Sequence, residues 1–361
     1  MLTPGDYMDR ALFLAARGRG RTSPNPMVGA VVVSPEGVDV GHGFHERAGE
    51  AHAEVRALDM AGDRGRGATL YCTLEPCSHV GRTGPCAARI VDAAVARVVA
   101  AIADPNPLVN GRGFAYLEAH GVAVEVGLRA DGALRLNRPY LTLMRERRPF
   151  VILKAALSLD GCLAEAPGRR TRLTSPVADR HAHAVRAEVD AIGVGIGTVL
   201  ADDPLLTARG AHRERPLVRV IFDRGLRTPA TARMLSTPEA GPVIIVTTAL
   251  GAARADVRTE LEARGAEIEI ARDLTLRSAL EILGTRQIGS LLLEGGAAIH
   301  QAAWDEGVAD FVRLYVTPHE LGPAGLPFLK GRAFGATVLA ESRVMSLGPD
   351  TLVEGYVHGS Y

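Results

Sequence analysis

The sequence is short of the features that mark several specialised classes of protein. No charge sign dominates: Lys and Arg together number 41, and so do Asp and Glu. A balanced chain offers neither the basic field that nucleic acid demands nor a patch for an acidic membrane surface, so neither partner is expected. The one basic knot, Arg145, Arg147 and Arg148, reads as a solvated linker. No apolar run reaches the ~20 residues of a membrane-spanning helix. No N-terminal stretch joins a basic flank, an apolar core and a small-residue cleavage site, and a cytosolic protein is the expectation. Internal repeats and low-complexity segments are absent as well. Cysteine is scarce, with Cys72, Cys77, Cys86 and Cys162 the full set. Four thiols in a long cytosolic chain do not make a disulfide framework, and Pro-Cys pairs there read as metal binding or catalysis.

What is present is an ordinary globular composition, 47% apolar and 23% charged over 361 residues. That length suits two domains, each with its own core. Apolar spacing predicts helices over 6–18, 52–61, 85–94 and 113–120, and strands over 28–34, 68–73, 95–102 and 122–126. The run 95–102 is apolar without alternation, as suits a strand buried on both faces. The charged stretch 145–149 breaks at Pro149, and a buried strand begins at Phe150. The boundary therefore falls there, giving domains 1–146 and 147–361. The second half again alternates, with a helix over 176–189 and strands over 150–155, 191–194, 218–223, 243–247, 290–294 and 311–316. This alternation predicts an α/β layered fold in each half.

The densest chemistry lies in His52-Ala-Glu54, Pro76-Cys77 and Pro85-Cys86. One His and two Cys can hold Zn²⁺ tetrahedrally and leave the fourth position for water. Glu54 then has the place of a general acid/base that moves protons to and from that water. Each thiol is expected just before or within a helical first turn, where a helix N-terminus stabilises thiolate. Taken singly, these residues fit a helix cap, a surface carboxylate and two small buried hydrophobes. Together, in this order and with both prolines, they form the His-x-Glu and Pro-Cys signature of zinc deaminases. Eight residues rather than two separate Cys77 from Cys86. Cys72 is expected to pack inside, and Cys162 has no partner nearby in sequence.

The surroundings extend the pattern. They include Thr22-x-Pro24-Asn25-Pro26-x-Val28-Gly29, Gly43-x-His45, Thr73-Leu-Glu-Pro-Cys-Ser-His79, Gly81-Arg82-Thr83 and Asp104-Pro-Asn-Pro107. The second half has Lys154-x-Ala-x-Ser158-x-Asp160-Gly161, Arg186-Ala, Gly195-x-Gly197-Thr198-Val199, Asp202-Asp203-Pro204-x-Leu206-Thr207-x-Arg209 and Glu294-Gly295-Gly296. Over essentially the whole chain these motifs resemble the bifunctional deaminase/reductase family of riboflavin biosynthesis. The resemblance implies an N-terminal cytidine-deaminase-like three-layer domain and a C-terminal dihydrofolate-reductase-like α/β domain. It implies one Zn²⁺ per chain and NADPH as cofactors, and a small phosphorylated pyrimidine as substrate. The first domain would deaminate 2,5-diamino-6-(5-phosphoribosylamino)pyrimidin-4-one. The second would reduce the ribosyl group to give 5-amino-6-(5-phosphoribitylamino)uracil. A homo-oligomer is compatible with the sequence and not specified by it.

Carried over by position, His52, Cys77 and Cys86 match the metal ligands and Glu54 the catalytic acid/base. Asn25, His45, His79 and Arg82 match the deaminase substrate pocket, and the Arg82 fork suits a phosphate. Ala156, Thr198 and Asp202 match NADP contacts, as does the segment Gly296, Ala297, Ala298, Ile299, His300, Gln301 and Ala302. Two glycines after a buried strand let the backbone approach a pyrophosphate, although this turn is not the Gly-x-Gly-x-x-Gly fingerprint. Arg186, Leu206, Arg209 and Glu294 match substrate positions. Lys154, Asp202 and Glu294 are placed near the carbon that receives hydride.

The chain departs from the family at Arg170, in place of a serine that contacts substrate, and Arg172, in place of a tryptophan on the cofactor surface. Arg172 would either stack on the cofactor or meet a phosphate, or else reductase activity would be weakened or its cofactor preference altered. Two competing readings follow. One is a monofunctional deaminase with an impaired C-terminal domain; the other is a nucleic-acid-editing deaminase, which the neutral charge argues against.

Overall fold

The computed structural model describes residues 2–78, 84–331 and 339–357. The chain divides into two compact units, Met1–Glu146 and Arg147–Tyr361. Among the described residues no helix is long and apolar enough to cross a membrane.

The first unit runs α1 (Pro4–Ala16), β1 (Gly29–Val33), β2 (Asp39–Phe44), α2 (Ala53–Ala61), β3 (Thr69–Cys72), α3 (Cys86–Asp92), β4 (Arg97–Ala100), α4 (Arg112–Ala119), β5 (Ala123–Val126) and α5 (Ala130–Glu146). Thr3 starts α1 by a reciprocal capping box with Asp6, with Pro4 at the first helical position. The sheet has the order β2-β1-β3-β4-β5. β1 is antiparallel to both neighbours, and β3, β4 and β5 are parallel. All five residues of β1 are buried, so helices cover both of its faces. Two glycines set how close the helices come. A Cβ at Gly29 would lie 2.0 Å from the Ala11 carbonyl oxygen, and one at Gly41 2.2 Å from that of Ala57. The close approach at Gly41 seats α2, which carries Glu54, directly on β2.

The second unit runs β6 (Phe150–Leu157), β7 (Cys162–Ala164), α6 (Pro176–Glu188), β8 (Ala191–Gly195), α7 (Ile196–Asp202), β9 (Val218–Phe222), β10 (Val243–Thr248), α8 (Ala249–Ala252), α9 (Ala255–Ala263), β11 (Ala266–Ala271), α10 (Leu276–Thr285), β12 (Ser290–Leu293), α11 (Ala297–Asp305), β13 (Phe311–Val316), β14 (Leu326–Pro327), β15 (Ala340–Leu347) and β16 (Asp350–Tyr356). The large sheet has the order β11-β10-β9-β8-β12-β6-β13-β16-β15. It is parallel from β11 to β13 and ends in the antiparallel β16 and β15. The central strands are runs of Val, Ile and Leu, as burial on both faces requires. An exception is Arg219 on β9, which is fully buried. Its guanidinium donates to the carbonyls of Met234, Thr237 and Gly241 and to Thr237 Oγ1, fastening the 234–241 loop to the sheet.

Two expectations are corrected here. Residues 130–146 are a long helix, α5, missed because Gly132 and the internal Pro139 interrupt the helical signal. Arg148 is not solvated: it is buried and pairs bidentately with Asp310 at 2.7 and 2.8 Å. A buried guanidinium needs such a partner, and Asp310 stands 162 residues away in sequence.

Candidate functional site

In the first unit the chain brings its three soft ligands to one point. His52 is the N-cap of α2, and Cys86 is the first residue of α3. Cys77 lies in the loop after β3 rather than at a helix start of its own, so that part of the expectation is corrected; the backbone N–H of Cys86 reaches its sulfur at 3.4 Å. His52 Nδ1 is 3.2 Å from Cys86 Sγ and 3.5 Å from Cys77 Sγ. These separations approach the ~3.6 Å edge of a tetrahedron drawn with zinc–nitrogen and zinc–sulfur bond lengths. Hydrogen bonds from Cys86 and His52 hold the Cys77 thiol well below its ordinary range. Cys86 moves the opposite way, because its proton is shared with Cys77.

Glu54 is buried and its Oε2 has no hydrogen-bond partner among the described residues. Burial pushes its carboxyl up to about 7, against the pull of His52. A buried carboxylate with one unpartnered oxygen, beside three convergent ligand atoms, is the environment a metal-assisted proton shuttle needs. His45 is buried with its ring edge-on to His52 at 5.3 Å. Asn25 Nδ2 lies 3.1 Å from His45 Nε2, and His45 Nδ1 faces the Ala51 carbonyl. Burial lowers the His45 pKa, so the neutral ring is favoured.

One residue of this site escaped sequence reasoning. Glu75 is buried two positions before Cys77 and accepts backbone N–H groups from Asp104, Gly111 and Gly113 at 2.9–3.1 Å. It ties the start of α4 to the metal-binding loop. A Cβ at Gly113 would lie 1.9 Å from the Pro76 carbonyl oxygen, so only glycine permits that contact. His79 and Arg82 lie outside the described residues.

In the second unit a cavity of about 770 Å³ opens beside β6, β8 and β12. That size suits a cofactor or substrate. Glu294, just after β12, receives Arg186 through two bonds of 2.6 and 2.7 Å, and Lys154 Nζ stands 3.6 Å away. Burial alone would raise the Glu294 carboxyl, but Arg186 and Lys154 bring it down to about 2. Lys154 lies inside β6 and also sits 5.4 Å over the Tyr315 ring. Thr198 Oγ1 accepts the Gly296 N–H at 3.0 Å and so shapes the glycine turn. Leu206 adopts left-handed φ of 52°, a conformation that costs a non-glycine residue about 1 kcal/mol. Two residues of α6 hold the turn after it. Arg186 donates to the Thr207 carbonyl at 3.0 Å, and the Arg209 N–H donates to His183 Nδ1 at 3.1 Å.

Lys154, Ala156, Arg170, Arg186, Thr198, Asp202, Leu206, Glu294, Gly296, Ala297, Ala298, Ile299 and Gln301 all line this cavity. Four residues singled out from sequence are not among its walls. Arg172 is exposed and pairs with Asp179 at 3.3 Å. Arg209 is exposed and reaches Thr207 Oγ1 at 3.5 Å. His300 is buried behind the glycine turn, with Nε2 3.3 Å from both the Gly295 nitrogen and the Leu293 carbonyl. Ala302 faces a separate small pocket beside Phe222 and Thr247.

Comparison with known proteins agrees with this division. Residues 3–102 match the cytidine and deoxycytidylate deaminase zinc-binding region, and residues 149–353 match the RibD C-terminal domain. The chain is 41% identical to the riboflavin biosynthesis protein RibD of Aquifex aeolicus, over 88% of this chain and 87% of that one. It is 42% identical to that of Bacillus amyloliquefaciens, over 95% and 94% of the two chains. Acinetobacter baumannii RibD superposes with a TM-score of 0.85 at 37% identity, covering 97% of both chains. The Thermotoga maritima diaminohydroxyphosphoribosylaminopyrimidine deaminase/5-amino-6-(5-phosphoribosylamino)uracil reductase gives 0.80 at 34% identity, again over 97% of both.

Proposed function

The chain belongs to the RibD family of bifunctional riboflavin-biosynthesis enzymes, and on that premise we propose which residues carry out each of its two reactions. The protein is a deaminase and a reductase in one chain, using zinc and NADPH. Residues 1–146 carry the hydrolytic deamination of the diaminopyrimidine substrate, and residues 147–361 the reduction of its ribosyl group. The observation that carries the assignment is the convergence of His52, Cys77 and Cys86 on one point beside the buried Glu54.

In the first unit His52, Cys77 and Cys86 would hold zinc, which supplies a Lewis acid that makes water a nucleophile near neutral pH. Glu54 takes a proton from the attacking water, then returns it to the departing amine. A carboxyl held near 7 by burial suits both directions of transfer. His45 Nε2 accepts from Asn25 Nδ2 and so fixes the amide, whose Oδ1 and remaining N–H give an acceptor and a donor for the pyrimidine edge. The family resemblance assigns His79 and Arg82 to the same substrate, and the Arg82 fork suits its phosphate.

In the second unit Ala156, Thr198 and the Gly296–Ala298 turn would hold NADPH, which would supply the hydride. Glu294, fixed by Arg186, orients the sugar hydroxyls, and the Lys154 ammonium beside it gives the proton that balances the hydride. Asp202 lies across the same cavity, its carboxyl raised by burial. Leu206 and Arg209 flank the turn that receives the phosphorylated ribose. The alternative of an impaired reductase is not favoured, since Lys154, Arg186 and Glu294 stand together. The enzyme works in the cytosol, where its four thiols remain reduced. The long edge strand β15, with Val344 and Met345 exposed, supports self-association, which sedimentation velocity would measure.

The test is to supply the diaminopyrimidine phosphate with and without NADPH and identify the products by mass. Deamination is expected without NADPH, and the ribityl product only with it. Deaminated material that is never reduced, with either NADPH or NADH, would overturn the bifunctional reading.

A further inference from the structure

Of the 41 Lys and Arg residues in this chain only two are lysines, Lys154 and Lys330. Both line the reductase cavity. Everywhere else a guanidinium serves, so both lysine ammonium groups of the chain fall on one cavity. Lysine offers a compact point charge with three rotatable donors, whereas arginine offers a planar fork. Lys154 is already committed to Glu294. Lys330 is exposed at the cavity wall and makes no ion pair among the described residues.

The segment that carries Lys330 is fastened in place. Its backbone N–H donates to Gln301 Oε1 at 2.9 Å, and Gln301 Nε2 donates to Asp305 Oδ2 at 2.8 Å. Phe328 is buried edge-on to His300 at 5.2 Å, and Leu329 is buried beside it. Gln301, Asp305 and His300 all belong to α11. The N-terminus of α11 opens on the same cavity, and its N-cap, Gly296, provides no side-chain cap. The first backbone N–H groups of α11 therefore face the cavity from one side, and the Lys330 ammonium stands on a segment pinned to the flank of the same helix. Of the other cations of this cavity, Arg186 pairs with Glu294 and Arg169 with Glu165, while Arg170 is exposed and lies in the field of Asp202.

We infer that Lys330 is a phosphate-binding residue of the reductase cavity, pairing with a phosphate oxygen of a ligand seated against the start of α11. This rests on the reductase reading above. Its place beside α11 favours the pyrophosphate of the dinucleotide; the 5′-phosphate of the pyrimidine substrate offers the same chemistry.

The experiment uses the full-length enzyme and Lys330→Gln, which keeps the chain length of the side chain nearly constant and removes the charge. NADPH affinity is read from nicotinamide fluorescence without substrate, at low and high salt. Substrate KM is read separately at saturating NADPH. Loss of one charge-assisted contact weakens the affected ligand about tenfold. The variant should also lose affinity less steeply with salt than the wild type, while melting at the same temperature. A weaker Kd for NADPH assigns the contact to the dinucleotide; an unchanged Kd with a raised KM assigns it to the substrate phosphate. If neither constant moves while the wild type binds NADPH normally, the inference about Lys330 is wrong and the reductase reading stands. Wild-type enzyme that does not bind NADPH would overturn that reading instead.

Discussion

Acid should weaken the reductase unit through His300, and the size of the effect follows from where that ring sits. His300 is 1% exposed, with Nδ1 unpartnered among the described residues. Burial pulls its pKa from the ordinary 6.5 to about 4. The folded state thus prefers the neutral ring, and between these two values the unfolded chain takes up the proton more readily. The stability it contributes is complete above about pH 6.5 and is lost as pH falls towards 4. The full loss is about 3 kcal/mol, of which about 2 kcal/mol has gone by pH 5. Glu294 adds little above pH 5, since its carboxyl, held down at about 2, keeps its contribution above the ordinary 4.5 and loses it as pH falls from there towards 2. The chain has a single tryptophan, Trp304, and it lies on α11 four residues after His300. Its fluorescence in urea titrations therefore reports the second unit alone. His300→Gln should be less stable at neutral pH by about 1–3 kcal/mol, yet lose less than the wild type between pH 7.5 and pH 5. His181 and His183, also lowered by burial, contribute equally to both proteins. An acid loss of the same size in both would refute this account of His300.

Four further outcomes are expected. Cys77→Ser should release zinc, measured by elemental analysis, and abolish deamination while reduction of the deaminated substrate continues. Glu54→Gln should keep the metal but slow deamination 100- to 10,000-fold in a product assay; normal turnover would remove Glu54 from the mechanism. Arg219→Met leaves the Met234, Thr237 and Gly241 carbonyls without their donor, and should cost about 3 kcal/mol or more in the same Trp304 titration. Arg172→Ala should leave the Kd for NADPH within about twofold, a change of under 0.5 kcal/mol, because its guanidinium is exposed and engaged with Asp179; a tenfold loss would place it on the cofactor after all.

The metal-binding set was readable because its residues announce themselves by type. His52, Cys77 and Cys86 are rare residues beside prolines, and few local structures other than a metal site need them together. Many strands were readable for a similar local reason, β1, β10 and β12 being short runs rich in Val, Ile and Leu, whereas β2, β11, β15 and β16 were not foreseen. Other features were hidden because their reasons are distant. Arg148 looks like a linker residue until Asp310 is seen to face it. Helix α5 carries Gly132 and Pro139, which weaken any local helical signal; packing overrides them. Glu75 looks like one more acid in a loop, yet its two oxygens organise three backbone donors, two from the segment before α4 and one from its first turn.

The sequence by itself determined the ligand set, the acid/base beside it, the α/β alternation and the family, because each depends on residue type and short spacing. Only the tertiary structure decided which charges face each other. It paired Arg186 and Lys154 with Glu294, turned Arg172 away from the cavity, and brought Lys330 to the same wall as Lys154. The meetings at Glu294 and of the two lysines depend on segments more than a hundred residues apart coming to one cavity, and Coulomb and hydrogen-bond energies act over a few ångströms of space, whatever the separation along the chain.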